Sequence, residues 1–196
     1  MRIFWSKLAA KGLTMNVLEF ANAGEWEAWL ETHHLQLGEA WLRIGKRNTE
    51  RDLITIVDAG DVGLCFGWID GQRKACDADS FLQRYSRRRA GSAWSQVNVE
   101  RAQTLVAAGR MHPAGLEEIA HAQHDGRWEN AYESQRTAQI PVELLAVLAA
   151  NPHAHAAFEA LGRSERYLLM LPLLKAYTAE RKAAALTRVI GRLARE

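Results

Sequence analysis

The chain has 196 residues, 48% hydrophobic and 24% charged, the balance of a globular protein with one core or one domain and a helical annex. A net charge of +2 excludes the global field of a nucleic-acid or membrane binder, so charge is read segment by segment. Cys65 and Cys76 are the only cysteines; they form no disulfide framework and no zinc-type spacing, and a reduced, cytoplasmic setting is expected.

The start, "MRIFWSKLAAKGLTMNVLEF", lacks the apolar core of a signal peptide, because Lys7, Lys11 and Gly12 interrupt it. No run of about 18 apolar residues occurs, so no transmembrane helix is expected. Residues 1–15 read as a loosely ordered extension. Trp26, Trp29 and Leu30 then recur at helical spacing. "EAWLRIGKR" alternates as a short strand does. "TIVDAGDVGLCF" carries a helical stripe of Ile56, Ala59, Val62 and Phe66, with Thr55 as N-cap and Asp58 three residues on. Gly60 and Gly63 each cost that helix about 1 kcal/mol relative to alanine. It ends near Gly67. Residues 68–76 and 80–87 read as a β-hairpin turning at "DADS".

From Trp94 onward every pattern is helical. Ser95 caps a helix that Gly109 closes, and Pro113 opens one running to about His124. "IPVELLAVLAANP" is a short apolar helix, and Asn151–Pro152 restarts another. Ser164 is expected to cap the next, interrupted at Pro172. Thr178 caps the last, with Leu186, Val189, Ile190 and Leu193 on its buried face. The fold class is therefore α+β: a small antiparallel sheet with helices in the N-terminal half, followed by an all-helical C-terminal part. The expected domains are 16–124, a polar linker at 125–140, and helices over 141–196.

Several residues have chemistry to offer. Cys65 and Asp70 are the candidate catalytic residues. A nucleophilic Cys65 needs a thiolate, and its place in the last turn of a helix, at the negative end of the dipole, works against one. Asp70 lies in the turn dipeptide Asp70–Gly71, where bonding to nearby amides is its ordinary role. Residues 69–101 carry seven Arg/Lys against four acids, a net of +3, with Tyr85 and Trp94 among the arginines. Such interleaving suits an anion or a stacked base, and it also guards a sheet edge against aggregation. Arg181, Arg188, Arg192 and Arg195 form a polar stripe on the last helix, as a solvated face would. His121 and His124, with Glu117, have metal-like spacing but no H-E-x-x-H motif, and no metal or other cofactor is expected. No P-loop, G-x-G-x-x-G or G-x-S-x-G motif is present.

At "LCFGWIDG", "LQRYSRRR", "SAWSQVNVERAQTLVAAGRMHPAG" and the terminal "TAERKAAALTRVIGRLARE", the chain resembles the YdeI/OmpD-associated bacteriocin-protection family, from about residue 20 to the end. That resemblance implies an association with resistance to bacteriocins or antimicrobial peptides, and it implies no reaction. Here Arg87 stands where the family usually has proline, and His112 stands where a capping threonine is usual. The family is sometimes described as periplasmic, whereas no export signal is read here.

The reading that follows is a non-enzymatic stress- or bacteriocin-protection protein, binding an anionic group or another protein. Its contact surface would be the hairpin and the loop to Trp94. Arg84 and Arg88 would engage the anion; Trp68, Tyr85 and Trp94 would stack; Asp70 would orient an arginine; Gln83, Ser95 and Asn98 would complete the surface. Two alternatives stand beside it: an enzyme using Cys65 or Asp70, and nucleic-acid or nucleotide binding through Arg84–Trp94.

Overall fold

The computed structural model describes residues 6–10, 13–47 and 51–195. The chain divides into two compact units, one of residues 1–90 and 101–121, the other of residues 91–100 and 122–196.

The first unit is built on a five-stranded sheet of order β1-β2-β3-β5-β4. Its strands are β1 (Ser6–Ala10), β2 (Leu13–Leu18), β3 (Glu39–Gly45), β4 (Trp68–Ala75) and β5 (Ser80–Arg87). The segment 1–15, expected as an extension, thus contributes β1 and the start of β2, which pair antiparallel. The sheet is mixed rather than purely antiparallel. Val17 and Leu18 of β2 run parallel to Trp41 and Leu42 of β3, because helix α1 (Ala23–His33) carries the chain across between them. Asn22 caps α1 by accepting from the Glu25 amide at 3.1 Å.

Helix α2 (Ile56–Cys65) begins at the expected cap, where Thr55 Oγ1 accepts from the Asp58 amide at 3.1 Å. Alternation places Ala40, Leu42 and Ile44 on the sheet face that also carries Phe81, Gln83 and Tyr85. Against that face packs an aromatic cluster. Trp26 lies 5.9 Å from Tyr85 and 6.1 Å from Trp68, and stacks on Trp29 at 5.2 Å. The buried indole of Trp26 donates to the Ala59 carbonyl at 3.2 Å, tying α1 to α2.

The hairpin turn is held by one carboxylate. Asp77 Oδ1 accepts from the Asp79 and Ser80 amides at 3.0 and 2.8 Å, and from the Ser80 hydroxyl at 2.7 Å. Its other oxygen meets Arg43 of β3, whose guanidinium also reaches Glu19 at 2.8 Å.

Helices α3 (Gln96–Ala107) and α4 (Pro113–His124) follow, then α5 (Val142–Ala150), α6 (Pro152–Ala160), α7 (Arg163–Leu174) and α8 (Ala179–Leu193). The last four enclose the core of the second unit: Leu144 and Leu148 from α5, Ala154 and Phe158 from α6, Leu169, Met170 and Leu173 from α7, and Ala185, Val189 and Leu193 from α8. Asn151 and Thr178 cap α6 and α8 as the sequence predicts. Two expectations for α7 are corrected. Gly162, not Ser164, is its N-cap residue, and Glu165 accepts from the Gly162 amide at 2.9 Å. Pro172 does not interrupt it. The helix continues to Leu174, because Leu168, whose carbonyl loses an N–H partner to the proline, lies on the exposed side where water can replace it.

The segment 125–140, expected as a linker, is packed into this unit. Trp128 meets Trp94 edge-on at 4.8 Å. Tyr132 pairs with Ser95 in a β-bridge. The buried Arg127 donates to Asp125 at 2.7 Å and to the Ser92 carbonyl at 2.9 Å. Among the described residues, no helix is long and apolar enough to cross a membrane.

Candidate functional site

The two runs "CFGW" and "RMHPAG" interlock in space. Cys65 ends α2, and Gly67 turns the chain with φ +71°, a conformation that favours glycine. The Cys65 carbonyl accepts from the His112 amide at 3.2 Å. A Cβ on Gly115 would sit 2.1 Å from that same carbonyl oxygen, so only glycine lets α4 approach this closely. The Cys65 side chain is buried, and burial pushes its thiol up to about 11, against an opposing pull from Arg110. A thiol so disposed is protonated at neutral pH. The run is a docking joint between α2 and α4.

The glycines of α2 have a similar origin. At Gly60 a Cβ would meet the Arg101 guanidinium at 2.9 Å; at Gly63 it would meet the Tyr85 ring at 3.2 Å. Arg101 holds Asp61 at 2.5 Å and the Val57 carbonyl at 3.0 Å. The helix therefore gives up intrinsic propensity where α3 and β5 pack on it.

The structure places the expected contact residues differently from the sequence reading. Trp68, Tyr85 and Trp94 are each 1% exposed, so rings expected to stack on a ligand are core residues. Burial also pushes the Tyr85 hydroxyl well above the usual phenol range, with the Asp70 charge adding to it. Gln83 is buried and repairs an irregularity. β4 bulges between Asp70 and Arg73, and Gln83 Nε2 donates to the Gly71 carbonyl at 3.0 Å while its Oε1 accepts from Arg73 at 3.1 Å. Arg84 is held at 2.6 Å by Glu39 on the neighbouring strand rather than by Asp70. Arg88 is 5% exposed, and its amide donates to the Gly67 carbonyl. Ser95 caps α3 by accepting from the Asn98 amide at 3.2 Å, which makes both residues part of a helix start.

Asp70, Gln83, Arg84, Tyr85 and Trp68 lie together on the β4–β5 hairpin, and Arg88 follows it in the same unit. Trp94, Ser95 and Asn98 belong to the other unit. The hairpin exposes edge strand β4 from Asp70 to Ala75, its cations Arg73 and Lys74 included. The Arg73 guanidinium lies 4.2 Å over the Phe81 ring, and the Lys74 ammonium 4.5 Å over Trp41. Among the described residues, no group of three or more His, Cys, Asp or Glu could hold a metal ion.

A concave apolar surface lies in the second unit. A groove of about 590 Å³ runs between α5 and α6, lined by Ile140, Leu145, Leu148, Ala149, Pro152, His155, Phe158 and Glu159. Its floor, Leu148 and Phe158, belongs to the core. Beside it α5 turns large apolar side chains outward, with Val142 74% and Leu145 47% exposed. A second cleft of about 340 Å³ shares Ile140 and carries Glu133 and Glu143. A third, of about 270 Å³, shares Ile140 and carries Arg163 and Arg166. Apolar walls with a few charged residues at the margin are the ordinary make-up of a recognition groove. No motif points to it. The available signal was α5 itself, nine residues with Glu143 as the single charge, and so apolar on every side.

Two family models match the chain. Residues 18–118 match a domain of unknown function, DUF8412. Residues 137–196 match the family described as "Bacteriocin-protection, YdeI or OmpD-Associated". The first match contains "CFGWIDG" and "GRMHPAG"; the second contains all of α5 to α8. No curated protein matches. No solved structure matches.

Proposed function

From a chain that belongs, over residues 18–118, to the DUF8412 domain family and carries over residues 137–196 the YdeI/OmpD-associated bacteriocin-protection domain, we propose a binding protein that protects against bacteriocins by capturing an apolar peptide segment on α5 and α6. The observation that carries this reading is the outward apolar face of α5 beside the 590 Å³ groove, inside the residues that match the protection family. A helix in a small domain ordinarily gives its exposed side to polar residues. Here Val142 and Leu145 occupy that side, and a peptide laid over them would bury their apolar surface, each side chain contributing roughly 1.5–3 kcal/mol when fully covered. Glu159 at the groove margin is already paired with Arg166 at 3.2 Å, so the groove offers its occupant chiefly apolar surface.

The test is Leu145→Glu, a change at a half-exposed position that leaves the core untouched. Cells expressing the variant lose protection against a panel of purified bacteriocins while the variant keeps the wild-type circular dichroism spectrum. Full protection by a folded Leu145→Glu protein would overturn the proposal.

A second reading rests on the cations of β4. Arg73 and Lys74, mounted on aromatic rings at the sheet edge, suit an anionic surface. Binding there would weaken steeply with salt, whereas binding in the α5–α6 groove would not.

A further inference from the structure

His34 and His112 meet edge to face with ring centroids 4.9 Å apart, and the His112 ring stacks on Phe66 at 4.5 Å. Hydrogen bonds fix the proton positions. The His34 Nδ1 lies 2.8 Å from the Leu30 carbonyl, which can only accept, so Nδ1 carries the proton. The His112 Nδ1 accepts from the Ala114 amide at 3.2 Å, so in this state it carries none. His112 therefore does for α4 what a capping threonine does: its ring nitrogen satisfies an amide of the first turn. Unlike threonine, it loses that acceptor when it gains a proton, and the new charge would face the positive end of the helix.

We propose that the His34–His112 pair is a pH-sensitive latch on the joint between α2 and α4, closed at neutral pH and released as the medium becomes acidic. The groups around it are few. α1 presents Glu31 and, as the residue just past its end, His34; α2 presents the buried thiol and the carbonyl of Cys65; Arg110 precedes His112 in its own loop; Glu118 of α4 lies against Gly67. Burial holds the His112 imidazole below the usual histidine range, the neighbouring His34 adds to this, and Glu31 opposes it. The latch contribution is thus complete above the unfolded value of about 6.5 and is lost as pH falls through the lower folded value. Release removes the Ala114 bond first. It then frees the contacts of His112 and Gly115 with the Cys65 carbonyl, which keep the end of α2 in place.

The experiment is amide hydrogen exchange of the full chain from pH 7.5 to 5.0, corrected for the intrinsic rate, in the wild type and in His112→Thr. Threonine keeps an acceptor at this position and does not titrate. Protection of the Ala114 amide in the wild type falls by up to about tenfold per pH unit below the His112 pKa, as one bound proton requires. In His112→Thr it stays flat. The same pH dependence in both proteins overturns the proposal. Should the variant not fold, the wild-type imidazole titration decides: loss of Ala114 protection that tracks His112 protonation supports the latch, and unchanged protection across that titration rejects it.

Discussion

A methyl group at position 115 would meet the Cys65 carbonyl oxygen at 2.1 Å, whereas one at Gly109 would meet nothing within 4 Å. Both glycines stand in the run that the sequence marks as a motif, for different reasons. Gly109 adopts φ +66°, where an L-residue carries a strain of about 1–2 kcal/mol. Gly115 is small because backbone occupies the space a side chain would need. Gly115→Ala is therefore expected to cost more than Gly109→Ala, about 3 kcal/mol or above, since rigid backbone must move. Urea titration of the two variants measures the difference. Cys65 sits at the same contact. Its thiol, pushed up to about 11, is expected to resist iodoacetamide at pH 8 in the native protein and to react readily once the chain is unfolded. Being raised, this group contributes stability below the unfolded thiol value and loses it as pH rises toward the folded one.

At the scale of elements, the sequence read well where one chemical rule acted alone. Thr55, Ser95, Asn151 and Thr178 were legible as caps because a side-chain oxygen before an apolar period has few other uses. The α-β-α-β-β order followed from periodicity. The missing parts depended on neighbours. Nothing local told that Trp68, Tyr85 and Trp94 would be interior, because an aromatic among arginines reads alike as core or as surface. Pro172 looked like a break because the exposure of Leu168 is not a local property. The Asp77 turn yields a prediction on this scale. Its carboxylate is held well below the usual range by the Ser80 hydroxyl and, against some desolvation, by Arg43. A lowered carboxylate contributes stability above its unfolded pKa and loses it as pH falls through the folded one. Asp77→Asn is expected to lose the acid-sensitive part of the hairpin's stability, leaving a shallower pH dependence between pH 5 and 2 in thermal melts (a window of about one unit above and two below the ordinary carboxylate value).

Across the whole molecule the candidate surface was the least legible part. The sequence directed attention to the basic hairpin, where motif residues cluster, and most of them serve packing: Gln83 repairs a bulge, Arg84 pairs with Glu39, and the aromatic rings fill the core. The exposed α5 face drew no notice because alanines, valines and leucines carry no motif, and its meaning depends on what fails to cover it. Binding in the α5–α6 groove is expected to show a negative heat-capacity change, the mark of apolar burial. The hairpin and groove readings separate cleanly in one measurement: survival of cells under bacteriocin challenge when they express the wild type, Leu145→Glu, or Arg73→Ala with Lys74→Ala. Leu145→Glu is expected to abolish protection, and the hairpin double variant to retain it. Protection that survives Leu145→Glu and disappears with the hairpin cations would contradict the groove reading.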